Sequence, residues 1–463
     1  MSSDEILKII GEVADQARIA VWAVGGFVRD KLLNKSVKDI DFAVVGDGPE
    51  FAKRVAEALN TRSIVIYPKF GTAMVHHKDY KLEFVGTRKE EYLSDSRKPI
   101  VTESSLDDDL LRRDFTINAI AMGINQNNFG EIYDPLGGRE DIKKKVIRPP
   151  LDPVVTFKDD PLRIMRAIRF ATQLGFEIEQ NTFRALKNMV HRLEIISQER
   201  ITDELMKMFE AERPSLGFKL MDEAGILELI LPELTSMKGV EQRNGYHHKD
   251  VFLHTLSVVD NVAAVSDNIN LRFAALVHDV GKPVTKKFID GVGWTFYGHD
   301  EIGARMIPGI CQRLKLPKQL MKYAQKLTRL HLRPIHLSEE GVTDSAIRRL
   351  LVQVGDDLED LLTLCRADIT SRNPQRVKRH LANFDFVVKR IQEVEEKDRM
   401  RAFQSPVRGD EIMKVCGLQP GPLVGKLKKM IEEAILEGII PNEHDAAFQY
   451  LLEIKNKVLA EES

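Results

Sequence analysis

Gly25-Gly26-Phe27-Val28-Arg29-Asp30, followed by Lys38-Asp39-Ile40-Asp41-Phe42, is the stretch that decides how this chain reads. In a β-strand, residues i and i+2 point to one face, so Asp39 and Asp41 stand side by side. Two adjacent carboxylates repel each other unless a cation lies between them. Hard oxygen ligands, few in number, suit Mg²⁺ with substrate phosphates completing its shell. Ile40, Phe42, Val44 and Val45 are apolar, which predicts a largely buried strand whose acidic end needs a compensating ion. The glycine pair lets backbone approach a triphosphate. The amides at the following helix start face the anion, and Arg29 adds charge-assisted hydrogen bonds. A Gly-Gly turn or an Asp-x-Asp strand alone is commonplace; their close succession joins them into one site.

Further along, Lys81-Leu82-Glu83-Phe84-Val85 places another carboxylate in an apolar strand. Glu83 is a candidate to accept the proton of an attacking hydroxyl or to help hold the metal. Arg112-Arg113-Asp114-Phe115-Thr116-Ile117-Asn118-Ala119 is expected to begin another helix. In it Arg113 pairs with phosphates, while Asp114 and Asn118 reach ribose hydroxyls. In the run from Asp159 to Phe170, Arg163, Arg166 and Arg169 recur every third residue and form one helical stripe. Leu162, Ile164, Met165 and Ile168 anchor the opposite side. Such a stripe is ordinarily a solvated face. Here it begins beside Asp160 and follows a phosphate-handling segment. A rigid Asp acceptor and Arg donor present an edge that can read cytosine or adenine without a template.

A chain of 463 residues exceeds one compact core and predicts two to four domains. Lys plus Arg, 68, nearly balances Asp plus Glu, 70, so any nucleic-acid contact has to come from local basic surfaces. Cys311, Cys365 and Cys416 lack metal-ligand spacing and read as core residues of a reducing compartment. No basic-then-apolar leader and no membrane-length apolar run stand out, so a cytoplasmic protein without a membrane partner is expected.

The fold class expected is α+β. Residues 1–148 alternate helix and strand patterns. Helices are expected at 4–20, 28–33 and 50–59, and strands at 21–24, 40–45, 63–67, 72–76 and 82–85. Residues 95–105 are polar and read as a mobile loop. Pro149-Pro150 marks a change to helical periodicity, giving a neck at 149–235, a body at 236–380 and a tail at 381–463. In the body, His254, the adjacent His278-Asp279, and Asp368 can reach one metal ion, with His299 and His331 adding ligands for a second. Lys282 could pair with a phosphate. In the tail, Lys389, Arg390, Lys426, Lys428 and Lys429 form either an RNA-backbone contact or a solvated helix face.

On these motifs, residues 20–230 resemble the class II tRNA nucleotidyltransferases, the CCA-adding enzymes, and their relatives the bacterial poly(A) polymerases. Gly25-Gly26-x-x-Arg29-Asp30 with Asp39-x-Asp41 resembles the family's catalytic motif, and Arg112 to Ala119 its ribose-binding motif. Asp134-Pro135-Leu136-Gly137-Gly138 with Asp141 is similar to its hinge. Asp160 and Arg163 match its nucleotide-selecting pair, with Arg166 and Arg169 following, and Glu199-Arg200-Ile201-x-x-Glu204 its supporting helix. Asp159 departs from the family's usual Glu. Residues 245–372 resemble the HD phosphohydrolases.

The resemblance implies a head, neck, HD body and tail that act on tRNA with CTP, used twice, and then ATP. Asp39 and Asp41 would hold Mg²⁺ while the RNA 3′-hydroxyl attacks the α-phosphate and pyrophosphate leaves. The segment at 89–108 favours complete CCA addition over CC addition alone. The HD body would hold a second divalent transition metal and act on phosphate or cyclic-phosphate RNA ends or small nucleotides. Rival readings are a poly(A) polymerase, an HD phosphohydrolase with an RNA-binding head, and a non-catalytic RNA-binding protein. The clustered Asp39, Asp41 and Glu83 argue against the last.

Overall fold

A computed structural model describes residues 2–86, 88–91, 100–103, 105–240, 250–337, 343–370, 374–402, 405–436, 439–441 and 443–460. The chain divides into two compact units, Met1–Leu332 with Glu359–Arg372, and Arg333–Leu358 with Asn373–Ser463.

The first unit opens with α1 (Ser3–Ala17), β1 (Val21–Val24), α2 (Gly26–Leu32), β2 (Asp39–Val44) and α3 (Gly48–Ala58). Three strands follow, β3 (Ile64–Tyr67), β4 (Thr72–His77) and β5 (Tyr80–Gly86), then the paired β6 (Arg88–Glu91) and β7 (Ile100–Glu103). Next come α4 (Leu106–Leu111), β8 (Ala121–Gly123), β9 (Ile132–Tyr133), α5 (Gly138–Lys144) and β10 (Val146–Ile147). Seven strands form one mixed sheet in the order β3-β4-β5-β2-β1-β8-β9. Only the β2–β5 pairing in it is parallel.

The central strand β2 alternates exposed Asp39, buried Ile40, exposed Asp41 and buried Phe42. One face therefore seats the core. Phe42 stacks on Phe84 with ring centroids 4.8 Å apart, and Phe51 of α3 meets Phe84 edge-on at 5.6 Å. Ile6, Leu7 and Ile10 of α1 join the same core. Truncating one such buried aromatic costs about 3–5 kcal/mol. The opposite face has Asp39 beside Lys81 and Asp41 beside Glu83 in strand register.

The helical neck comprises α6 (Pro153–Asp159), α7 (Leu162–Leu174), the short β11 (Glu177–Ile178), α8 (Gln180–Asn188), α9 (Gln198–Met208) and α10 (Ser215–Ala224), followed by α11 (Ile226–Ile230) and α12 (Pro232–Ser236). Leu162, Ile164, Met165 and Ile168 of α7 are buried as their spacing requires, and the helix stops at Gly175 in the left-handed region. The body adds α13 (Val251–Ala263), α14 (Ile269–Val277), α15 (Lys282–Thr285), the hairpin β12 (Lys287–Ile289) and β13 (Gly293–Thr295), α16 (His299–Arg313) and α17 (Lys318–Leu330). After α18 (Arg333–His336) and α19 (Asp344–Val354), α20 (Leu358–Asp368) returns to it.

The second unit groups α18 and α19 with α21 (Pro374–Ala402), α22 (Gly409–Cys416), α23 (Pro422–Leu436) and α24 (His444–Ala460). Val407, Ile412, Leu427, Ile431 and Leu451 form its apolar centre. The body–tail division at 380 therefore differs from the compact units, because residues 333–358 fold with the tail. Among the described residues no helix is long and apolar enough to cross a membrane.

Two local expectations need correction. Residues 112–119 form no α-helix: Phe115 is extended, and only Thr116–Asn118 make a single tight turn. The Asp114 carboxylate accepts from the Phe115 amide at 2.8 Å and from the Asn118 side chain at 3.0 Å, offering the backbone a local alternative to the helix. The segment read as a loop at 95–105 contains β7, which pairs with β6, and residues 92–99 and 104 lie outside the described residues.

Candidate active site and metal centre

The head site grows from the junction of β1 and α2. Gly25 has φ +75°, and a Cβ placed on it would lie 2.9 Å from Arg113 Nη1 and 3.7 Å from Asp41 Oδ2. Glycine is required there by conformation and by space. The turn, the acidic strand and Arg113 thus meet at one point. Asp41 has an open face, yet the surrounding protein desolvates its carboxyl enough to raise its pKa. Asp39 adds repulsion, and Arg113, Lys81 and Arg166 pull in the other direction without overcoming it. A carboxyl disfavoured in its charged form, with a second acid on the same strand face, is a site that fits a cation.

Arg113 is held in place by Asp109, which accepts from its Nε at 3.2 Å and its Nη2 at 3.0 Å; Arg112 donates to the other oxygen of Asp109. Asp109 is 1% exposed. Burial works against its charge, but the two guanidiniums outweigh that and depress its pKa. Sequence reading missed this residue, although its i+3 and i+4 spacing to Arg112 and Arg113 on one short helix was a visible signal.

A chain of charge-assisted hydrogen bonds then leads from head to neck. Arg29 grips Asp30 through Nε and Nη2, both at 2.8 Å, and donates from Nη1 to Asn118 Oδ1 at 2.7 Å. Asn118 donates to Asp114, whose second oxygen accepts from Arg166 Nε at 2.8 Å. Arg166 faces Glu204 at 3.7 Å, and Arg169 Nε donates to the same Glu204 at 2.5 Å. The Phe170 ring lies under all three guanidiniums, 5.1, 5.3 and 3.9 Å from those of Arg29, Arg166 and Arg169. The arginine stripe is therefore internal to a folded joint. Glu204, 4% exposed, was legible as part of a helix motif but not as the counter-charge of this stripe. Asp114 and Asn118, expected to face ribose, are buried and spend much of their bonding capacity on Arg29 and Arg166.

At the start of α7, Asp160 Oδ1 accepts from the Leu162 amide at 3.2 Å, and its Oδ2 lies 3.4 Å from Arg200. Arg163 Nη2 donates across to the Arg112 carbonyl at 2.5 Å. This pair sits at the neck end of the network, half-buried.

The body holds a separate centre. His254 comes from α13, His278 and Asp279 follow α14, His299 opens α16, His331 follows α17, and Asp368 ends α20. His254, His278, Asp279 and Asp368 form one group of converging ligand atoms, and Asp279, His299 and His331 form another. Each imidazole Nδ1 is anchored behind: His278 to the Ala275 carbonyl at 2.7 Å, His299 to Phe296 at 2.8 Å, His331 to Thr328 at 2.6 Å, and His254 to the Thr370 hydroxyl at 2.9 Å. The carbonyl partners leave the Nε2 lone pairs of His278, His299 and His331 facing the carboxylates. His278 Nε2, Asp279 Oδ1 and His299 Nε2 are buried without hydrogen-bond partners. Lone pairs crowded against carboxylates need a cation, so this donor set fits one or two divalent metals. Without one, burial would lower the pKa of His278, but Asp279 and Asp368 push it up to about 10. Asp279 itself is held well below the usual carboxylate range, against its burial, by His278 and Lys282.

The expected basic tail face is largely self-neutralised. Arg390 pairs with Asp344 at 2.8 Å and Glu393 at 2.6 Å, Lys428 with Glu432 at 4.0 Å, and Lys429 with Glu433 at 3.7 Å. Cys311 and Cys365 are buried and Cys416 is half-buried, all as free thiols.

A carboxylate-bearing mixed sheet, its glycine turn and a helical neck tied to it by arginines define a nucleotidyltransferase. Comparison with known proteins agrees: residues 21–148 match the poly A polymerase head domain, 175–238 the probable RNA and SrmB-binding site of polymerase A, and 251–373 the HD domain. The chain is similar to the A-adding tRNA nucleotidyltransferase of Deinococcus radiodurans, 34% identical over 74% of this chain and 78% of the relative. It is 32% identical to the CC-adding tRNA nucleotidyltransferase of Thermus thermophilus over 92% of each. It is 31% identical to the multifunctional CCA protein of Aliivibrio salmonicida over 85% of this chain and 96% of the relative. A solved tRNA nucleotidyltransferase complexed with a primer tRNA and an incoming ATP analogue aligns with TM-score 0.60 and 25% identity, covering 82% of this chain and 99% of that one. The chain belongs to the class II tRNA nucleotidyltransferases with an HD domain.

The head–neck network predicts acid sensitivity. The Asp114 pKa is depressed: its burial opposes charge, but Arg166 and Asn118 outweigh it. Its contribution to stability is therefore complete above the ordinary carboxylate pKa of about 3.9 and is lost as pH falls through the lower folded value. Thermal unfolding measured from neutral to acid pH should show a falling midpoint. Asp114→Asn should lower the neutral midpoint and flatten the acid limb; an unchanged acid slope contradicts this account.

Proposed function

We propose that this chain builds or repairs the 3′-terminal CCA of tRNA in the cytoplasm, adding C, C and A from CTP and ATP and releasing pyrophosphate. The observation that supports this reading most is the meeting of Asp41, Gly25 and Arg113 at one point, with Asp109 joining Arg113 to Arg112, whose carbonyl accepts from Arg163 of the neck. Asp39 and Asp41 would hold Mg²⁺, which when bound neutralises phosphate charge and polarises the phosphoryl oxygens.

The chain's own groups do the rest by positioning. Gly25 and Gly26 let backbone approach the triphosphate, with Arg29 anchored behind them. Arg113 Nη1, aimed at Gly25, meets phosphate oxygens; Asn118 offers its remaining acceptor capacity to the ribose, while Asp114, already accepting from Phe115, Asn118 and Arg166, holds Asn118 in place. Glu83, opposite Asp41 in the strand register, accepts the proton of the RNA 3′-hydroxyl. The 3′-oxygen bonds to the α-phosphorus as the bond to pyrophosphate breaks. Asp160 and Arg163 present an acceptor and donors to the base edge, and Arg166 and Arg169, clamped by Asp114 and Glu204, keep that edge rigid.

Complete CCA addition is favoured by the segment at 89–108, whose arms pair as a hairpin. A poly(A) polymerase is the second reading, because the head's family description names that activity. In the body, the histidine–aspartate cluster supports a metal-dependent phosphohydrolase, with the metal held by His254, His278, Asp279 and Asp368.

Incubation with CTP, ATP and tRNA lacking its CCA end should give a stop after three added nucleotides, abolished by Asp39→Ala. An open-ended A ladder, a stop after CC, or addition of A alone contradicts this reading. Arg163→Ala should reduce CTP and ATP incorporation at least tenfold while leaving the tRNA dissociation constant nearly unchanged, since each base-edge contact is worth about 1–3 kcal/mol. Equal loss of both would remove Arg163 from base selection.

A further inference from the structure

The two ligand segments His278-Asp279 and His299 are joined by a hairpin whose feet close on the metal cluster. A Cβ on Gly281 would lie 2.2 Å from the His299 carbonyl oxygen, so the feet touch. Lys282, at one foot, reaches Asp279 Oδ2 at 2.6 Å. The Phe296 carbonyl, at the other, accepts from His299 Nδ1. The feet of the hairpin thus stand at the cluster.

The hairpin exposes what a small sheet usually hides. Phe288 is 50% exposed, Trp294 37%, Val292 64% and Tyr297 76%. Phe288 and Trp294 pair across the strands with ring centroids 5.2 Å apart. Lys286, two residues before Phe288 and so on the same face, lies over Trp294 at 4.4 Å, and Lys287 is exposed on the opposite face. Residues 282–297 contain three lysines against the single acid Asp290. Among the described residues, neither Lys286 nor Lys287 has a carboxylate partner. Two strands of three residues are marginal alone, and solvated aromatics add nothing to their stability. Aromatic faces interleaved with unpaired cations are the surface that single-stranded nucleic acid uses, with bases stacking and phosphates meeting lysines.

We propose that residues 282–297 form a stacking platform for the terminal nucleotides of single-stranded RNA, presenting a phosphate-bearing end to Lys282 and the histidine–aspartate cluster. This rests on the phosphohydrolase reading of the body for its purpose, but not for its binding. The platform is distinct from the head, so it gives the chain a second RNA-end site.

Trp22 and Trp294 are the only tryptophans, so Trp294 reports alone in a Trp22→Phe background. A short oligoadenylate ending in a 2′,3′-cyclic phosphate should quench its fluorescence saturably, less so as salt rises. Phe288→Ala with Lys286→Ala should raise the dissociation constant about tenfold, while incorporation at the head stays at the Trp22→Phe level. Inorganic polyphosphate, which has no bases, should not quench. Absence of saturable quenching, or equal quenching by polyphosphate, overturns the platform. Opening of the cyclic phosphate by water to a phosphomonoester, one ring P–O bond breaking as the P–OH bond forms, is followed in parallel. Quenching without hydrolysis overturns the phosphohydrolase reading and leaves the platform standing; hydrolysis without quenching does the reverse.

Discussion

Asp39 and Asp41 share the open face of a strand whose other face is fully buried, and the head is built around that constraint. Ile40 and Phe42 cannot leave the core, so the strand cannot rotate its acids apart. Glu83 stands opposite Asp41 because β2 and β5 run parallel in that register. A one-residue slip would turn the acids inward and the core outward. The same alternation that holds the sheet together therefore keeps the acids aligned, as the proposed divalent-ion site requires.

A second constraint is the alternation of charge between sheet and neck. Asp30, Arg29, Asn118, Asp114, Arg166, Glu204 and Arg169 form an unbroken sequence of donors and acceptors. Removing Arg166 leaves the buried Asp114 carboxylate without its cation, a loss of about 3–5 kcal/mol. Such a network fixes distance and orientation better than apolar packing would, because each bond has a direction. α7, which carries the proposed base-reading Arg163, is thereby held to the sheet that carries Asp39 and Asp41. The histidine–aspartate centre uses a different device: every imidazole is fixed from behind, so its metal-facing nitrogen has little freedom.

Local patterning made much of this legible. The period-two alternation of Asp39 to Phe42 and the buried side of α7 appear in the structure as their spacing requires. The ligand segments around His254, His278-Asp279 and Asp368 also converge, although they are far apart in sequence. What sequence could not show were partners supplied from elsewhere. Asp109 and Glu204 look like ordinary helix acids until the fold brings guanidiniums to them. The extended backbone at Phe115 went unread because Asp114 competes for the local amide, while its other oxygen takes Arg166 of the neck. Nor did composition show that Arg390, Lys428 and Lys429 would find acids nearby.

The most direct measurement is the affinity for a non-hydrolysable CTP analogue, with and without Mn²⁺, in the native protein and in Asp41→Asn. If the paired acids grip a divalent ion beside the triphosphate, Mn²⁺ should tighten nucleotide binding in the native protein and lose that effect in the variant. An equal metal dependence in both proteins would contradict the account.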